Sequence, residues 1–241
     1  MPETRLDTEE GLVTAMSKLR PKILIINPNS SLEMTEAIHK NALAFAGDDI
    51  EVVTVPTPGA SPFVATYEDH AKAAAGMAQL LRDRQDEFDA FVVACHADPN
   101  LDLMKEITRK PVVGIAEASM KLATMLGHSF SVIAPMERTV PNKKALVERY
   151  GLTRDLASVR PASVEAGADE AERLIAAGRR AVTADGAEVL VLGCAGFAGI
   201  DKRMEKELGV PVLDGVVCAL IVASGLVKYD ISISKHCRYK N

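Results

Sequence analysis

The sequence contains no Trp, and only four Tyr and six Phe. Proteins that hold single-stranded nucleic acid stack its bases on aromatic rings, so this scarcity argues against that class. Positive charge is not in excess either: 28 Lys and Arg against 33 Asp and Glu leave a net charge of −5. A surface for nucleic acid or anionic lipid wants the opposite balance. No apolar run approaches the roughly 18 residues that read as a membrane-spanning helix. Residues 1–20 carry Glu3, Asp7, Glu9 and Glu10 and lack the apolar stretch of a secretion signal. The four cysteines, Cys95, Cys194, Cys218 and Cys237, form no closely spaced pair, which leaves zinc without local support. His39, His70, His96, His128 and His236 show no metal spacing. The phosphate-cradling glycine loop, the dinucleotide fingerprint and the serine nucleophile elbow are all missing. The expectation is a cytoplasmic protein with reduced thiols, acting on a small molecule without metal, nucleic acid or membrane.

The composition that is present, 48 % hydrophobic and 25 % charged, is that of a globular protein with a sizeable core. At about 150 residues per domain, 241 residues make one large domain or two small ones. Short Val/Ile/Leu runs at 22–27, 51–55, 90–94, 112–115, 130–134, 158–160, 188–192 and 210–213 read as strands. Their continuity, rather than alternation, marks strands covered on both faces. Helical stretches at 32–46, 68–84, 99–108, 117–126, 140–150, 168–184, 200–208 and 215–228 lie between and after them, and the alternation implies α/β architecture with mostly parallel sheets. Ser30 and Glu33 are spaced as a capping box for the first helix. A further helix is expected around 9–19, within an N-terminal extension over 1–21.

The spacing repeats. Strand starts near 23, 51, 90 and 112 are followed by starts near 130, 158, 188 and 210. Lys110-Pro111-Val112-Val113 matches Val210-Pro211-Val212-Leu213, and the run ending in Cys95 matches the run ending in Cys194, 99 residues later. This pattern predicts two pseudo-symmetric lobes, each a four-stranded sheet flanked by helices. Lobe 1 covers 22–128 with 215–241 returning to it, and lobe 2 covers 129–214. A ligand then belongs in the cleft between lobes, at the carboxyl ends of the strands.

Cys95 and Cys194 each end an apolar strand and enter a turn before a helical stretch. A helix N-terminus there would lower the thiol pKa. A single cysteine in an apolar strand is usually a small buried hydrophobe, but two at matching points of a duplication suggest a pair facing across one cleft. Opposed thiols, one ionised and one protonated, suit proton removal from one face of a carbon acid and return to the other. The N–H groups of Ala97, Ala195 and Gly196 are candidates to stabilise the enolate oxygen. Asn29 and Ser30, in the turn after the first strand, are candidates for substrate contact or for plain turn chemistry. Glu117 would orient a ligand or cap a helix. His96 would tune the neighbouring thiol, touch substrate or sit in a surface turn. The segment 58–62 reads as a cover for the cleft or a linker. Cys218 falls in a helical apolar run and reads as core, and Cys237 as incidental.

Asn27-Pro28-Asn29-Ser30, the turn Cys95-His96-Ala97-Asp98-Pro99, Pro111-Val112-Val113-Gly114-Ile115-Ala116-Glu117 and Leu192-Gly193-Cys194-Ala195-Gly196 together resemble the hydantoin and allantoin racemase branch of the Asp/Glu racemase superfamily, over roughly 22–235. The resemblance implies a cofactor-independent racemase of 5-substituted hydantoins or allantoin, assembled as a homo-oligomer, with Cys95 and Cys194 as the acid–base pair. It also implies that Asn29 and the amides after each cysteine hold the cyclic ureide, and that Glu117 lies near the site. The turn after Cys95 departs from the family's Phe-Gly-Asp-Pro-Gly, and the 58–66 segment departs too, both where the C5 substituent would lie. Other readings stay open. An aspartate or glutamate racemase would follow its cysteines with Asn-Thr or Thr-His rather than His96-Ala97 and Ala195-Gly196. A decarboxylase of the superfamily keeps one cysteine, not two. A two-lobed binding protein would need neither.

Overall fold

The computed structural model describes residues 20–162, 169–197 and 199–240. The helix expected at 9–19 lies outside them. Strand and helix alternate from the start: β1 (Lys22–Asn27), α1 (Leu32–Ala46), β2 (Glu51–Pro56), α2 (Tyr67–Arg84), β3 (Ala90–Val93), α3 (Leu101–Ile107), β4 (Val112–Gly114) and α4 (Ile115–Leu126). The order then repeats with β5 (Phe130–Ala134), α5 (Val140–Arg149), β6 (Leu156–Pro161), α6 (Glu170–Asp185), β7 (Val189–Leu192), α7 (Asp201–Leu208), β8 (Val212–Leu213) and α8 (Gly215–Lys228). The strands form two four-stranded parallel sheets in the orders β2-β1-β3-β4 and β6-β5-β7-β8. The second order is the first repeated, as the strand spacing predicts.

Each sheet is covered on both faces, which explains the continuous apolar runs. In the first, Ile23, Ile25 and Val92 pack with α1 and α8, while Leu24, Ile26, Phe91 and Val93 pack with α2 and α3. In the second, Val132, Val189 and Val191 face α4 and α5, and Ile133, Leu190 and Leu192 face α6 and α7. Two helices tie the sheets together. Ile115 and Ala118 of α4 belong to the first core and Ala116, Met120 and Ala123 to the second. Helix α8 follows the second sheet in sequence yet packs Val216, Cys218, Ala219 and Leu220 on the first. Among the described residues no helix is long and apolar enough to cross a membrane.

Two boundaries differ instructively from the sequence reading. The cap of α1 is Ser31, whose Oγ accepts the Met34 N–H at 3.2 Å, while Ser30 is tied by its N–H to the Ser61 carbonyl. Helix α3 starts at Leu101 rather than 99, because Asp98 and Asn100 have φ of 44° and 58°, in the left-handed region no helix continues through.

Candidate active site

Both sheets place a cysteine two residues beyond a central strand. The Ala94 N–H extends β3 by donating to the Ile26 carbonyl at 2.9 Å, and the Gly193 N–H extends β7 by donating to Ile133 at 2.8 Å. Each chain then turns at its cysteine. The Asp98 N–H donates to the Cys95 carbonyl at 2.9 Å and the Phe197 N–H to the Cys194 carbonyl at 3.2 Å. Inside each turn, the amide two residues on faces the sulfur: Ala97 for Cys95, and Gly196 for Cys194 at 3.4 Å. The duplication therefore reproduces a whole cradle around each thiol, not the cysteine alone. Both thiols are half-buried and line one cleft of about 270 Å³ at the carboxyl ends of the strands.

The first cradle is braced from beneath. Asp98, buried and at positive φ, accepts the Ala116 N–H at 3.1 Å and the Glu117 N–H at 2.7 Å, at the start of α4. The Tyr150 hydroxyl donates to the same carboxylate at 2.6 Å. Gly114 leaves it room, since a Cβ there would sit 2.4 Å from the Asp98 carboxyl. Burial pushes the Asp98 carboxyl up to about 6, against the pull of these three donors.

His96 and Lys143 form a second buried brace. The Lys143 ammonium, on α5, donates to the His96 carbonyl and lies 3.1 Å from His96 Nδ1. His96 Nε2 lies 3.4 Å from Ser119 Oγ, whose own proton goes to the Ile115 carbonyl at 2.7 Å. Burial holds the His96 pKa well below its ordinary value, so the ring is neutral. With a protonated lysine donating to Nδ1, the ring proton belongs on Nε2.

The expected depression of the thiols by helix N-termini is corrected here. Burial dominates and pushes Cys95 up to about 11, and it raises Cys194 too. Cys95 precedes α3 by six residues, and Cys194 precedes only a single 3-10 turn, Ala195–Phe197, so neither thiol meets a helix dipole at close range. The Lys143 ammonium and the cradle amides oppose the burial effect at both sulfurs.

The other candidates divide. Asn29, His96, Ala97 and Ala195 line the cleft with the two cysteines. Asn29 Oδ1 accepts from Asn27 Nδ2 at 2.8 Å and from the Ser31 N–H at 2.9 Å, leaving the side-chain nitrogen, 3.5 Å from Met34 Sδ, on the cleft side. Ser30 lies outside the lining. So does Glu117, whose carboxylate is held by Lys105 at 2.6 Å and Lys121 at 2.7 Å. Gly196 lies outside as well, and its N–H serves the thiol rather than a substrate oxygen. Phe63, Val64, Ala65 and Tyr67 line the cleft, and residues 58–62 do not. Cys218 is buried in α8 and Cys237 is exposed. Among the described residues no cluster of three or more His, Cys, Asp or Glu is placed to hold a metal. The sequence reading missed Lys143. Its signal is a lysine in the helical apolar stripe of Val140, Leu146, Val147 and Tyr150.

Comparison with known proteins places the chain in a family. The family model Asp/Glu/hydantoin racemase matches residues 23–223. The chain is 39 % identical over 229 residues to a hydantoin racemase of Pseudomonas sp. (strain NS671), covering 91 % of each, and 36 % identical to that of Paenarthrobacter aurescens, covering 91 % of this chain and 96 % of the other. The solved allantoin racemase of Klebsiella pneumoniae superposes with a TM-score of 0.85 at 34 % identity, over 91 % of this chain and 92 % of its own. A glutamate racemase of Francisella tularensis, at 17 % identity and a TM-score of 0.61, shares the fold. The chain belongs to the Asp/Glu/hydantoin racemase family and is a racemase, an isomerase.

Proposed function

We propose that the protein interconverts the enantiomers of a 5-substituted hydantoin or of allantoin at C5, using Cys95 and Cys194 as the two bases. The observation that carries this reading is the repeated cradle, which brings two thiols to equivalent points on one cleft. The names of the most similar relatives support the cyclic ureide over an amino acid. One cysteine, as thiolate, takes the C5 proton, and the electron pair left on C5 delocalises into the adjacent C4 carbonyl as an enolate. The opposite cysteine, as thiol, donates its proton to the other face, so the two exchange protonation states in each turnover. A thiolate whose pKa is raised by burial is the stronger base for a weak carbon acid. The Asn29 amide and the Ala195 N–H are the donors left for ring oxygens.

The test uses a single enantiomer of a 5-substituted hydantoin and, separately, of allantoin. Circular dichroism of the substrate should decay with the native protein and persist with Cys95→Ser or Cys194→Ser, each variant losing at least about 100-fold, the lower range for a positioned acid or base. Solvent deuterium should appear at C5. Substantial racemisation by either variant would overturn the two-base reading.

A further inference from the structure

Lys143 is 6 % exposed, yet among the described residues no ion pair joins it to a carboxylate. A buried ammonium without an anion is costly, by several kcal/mol even after the protein relaxes around it, and burial pulls the Lys143 pKa below its ordinary value while Cys95, Cys194 and Asp98 hold it up. Two of its three protons are committed to His96, at the backbone carbonyl and at Nδ1. The third has no protein acceptor among the described residues, and the side chain lines the cleft beside both cysteines. The Asp98 carboxylate favours the ammonium from a distance, but it is engaged by the α4 amides and Tyr150 and makes no ion pair with it. The anion that would balance this cation is therefore a thiolate.

We propose that Lys143 is a positioning residue, the counter-ion shared by Cys95 and Cys194, which lowers the cost of turning one thiol of the pair into a thiolate. His96 is the clamp that aims the ammonium, since its carbonyl and its ring both hold Nζ. The role explains why a neutral histidine is buried next to Cys95 at all: it accepts from the lysine without adding charge. The pull is felt at both sulfurs against burial, and at Cys95 also against the charge of Cys194. The other charged or titratable groups around the thiols do not replace it. Asp98 and Glu170 are acidic and disfavour a thiolate. Burial holds His70, on the α2 side of the cleft, towards its neutral form. Arg149 also lines the cleft, but its guanidinium is paired with Asp102.

This inference rests on the two-thiol reading, and its test is read without turnover. The full-length protein is alkylated with iodoacetamide across a pH series, and the Cys95 and Cys194 peptides are quantified by mass spectrometry. In Lys143→Met the reactive thiol's midpoint should rise by about one pH unit or more, equivalent to a tenfold loss of thiolate at a fixed lower pH. The acid limb of kcat/KM should move with it. Lys143→Arg keeps a permanent charge, so its midpoint should stay near the parent's even where turnover falls. Lys144→Met, an exposed neighbour on α5, is the control for the helix and should move nothing. If Lys143→Met does not fold, Lys143→Gln, which keeps a donor for the His96 carbonyl, carries the same reading. An unmoved midpoint in a folded Met or Gln variant overturns the proposal, and if turnover also falls it puts the ammonium on a substrate oxygen instead. A midpoint raised equally in the Arg variant also overturns it, because packing rather than charge would then be responsible. Failure of the cysteine variants to abolish racemisation would leave the midpoint shift standing and count against the mechanism alone.

Discussion

Gly114 does not line the cleft, yet replacing it with alanine should damage both the fold and the site. Its φ of −83° is one any residue adopts, so the substitution carries no backbone strain. The cost is steric. The new Cβ would lie 2.4 Å from Asp98 Cγ and Oδ1 and 2.5 Å from Oδ2, distances no contact sustains. The carboxylate must swing away, and its three donors are Ala116 N, Glu117 N and Tyr150 Oη. Hydrogen bonds to a charged group are worth about 1.5–3 kcal/mol each, and the buried amides lose an acceptor without gaining water. Losing two of the three gives about 3–6 kcal/mol of destabilisation. At about 2–4 °C per kcal/mol for a chain of this size, the lower figure alone lowers Tm by about 6–12 °C. Asp98 also fixes the turn that holds Cys95, since its N–H donates to the Cys95 carbonyl, so racemisation should fall by more than the loss of folded protein explains.

The assay is urea unfolding of four proteins: parent, Gly114→Ala, Asp98→Ala and the double variant. Asp98→Ala removes the group the new Cβ would strike, so the second substitution should cost little in that background. The coupling energy should therefore approach the full cost of about 3–6 kcal/mol, at or above the upper end of the range for residues in direct contact. Additive costs, or a Gly114→Ala variant within about 0.5 kcal/mol of the parent, would refute the claim that this glycine exists to seat the carboxylate.

Asp98 also makes a pH prediction. Its folded pKa, about 6, lies above the unfolded value of 3.8, so the native state holds a proton that the unfolded chain has already released between these values. Stability from this group is present below about pH 4 and is lost as pH rises through 6; Asp98→Asn should lack that part of the slope when the two proteins' unfolding midpoints are compared across the window. Glu117→Gln should leave racemisation within about twofold of the parent, because its carboxylate is bound by Lys105 and Lys121 outside the cleft; a loss above tenfold in steady-state rate would return Glu117 to the site. Gly193→Ala should lower Tm, because its Cβ would meet the Ile133 carbonyl of β5 at 2.5 Å, and backbone cannot step aside as a side chain can; an unchanged Tm would show that β5 and β7 separate freely at the mouth of the cleft.

The fold was legible because its two constraints leave marks in one dimension. Strands buried on both faces must be apolar at every position, and helices that start and stop between them need glycine, proline or a cap at the joint. Pro111 and Pro211 open matching strands, and their carbonyls accept from Phe91 and Leu190 at 2.9 Å each. The cysteines were legible for the same reason, as equal offsets in a repeat. What escaped lies where two distant segments meet. Lys143 reads as one of two adjacent lysines on a surface helix until α5 is laid against the Cys95 turn. Glu117 looks like an active-site acid in the sequence because it follows the fourth strand and matches an acidic position of the resembled family, but in α4 its carboxylate is held by Lys105 and Lys121. The positive φ at Asp98 goes with the donors its carboxylate collects from α4 and Tyr150, and that at Asn100 with its bond to the His70 carbonyl on α2. No local pattern encodes those partners.

The duplication also leaves one deliberate inequality. Each thiol has its own turn, its own amide facing sulfur and its own strand extension, so two copies of each are present. Among the described residues one ammonium, that of Lys143, acts on both. A single positive charge offsets one thiolate, and a second thiolate would face both burial and the first sulfur's charge uncompensated. In the proposed reaction this makes the singly ionised pair the favoured state whichever cysteine bears the charge. It gives a physical reason for the protonation exchange to run equally well in either direction, as a racemase requires. The prediction is stoichiometric: thiolate absorbance should rise by one equivalent for the cleft pair in its first titration step, with the second displaced to higher pH, and two coincident steps would show that the sulfurs do not share their cation.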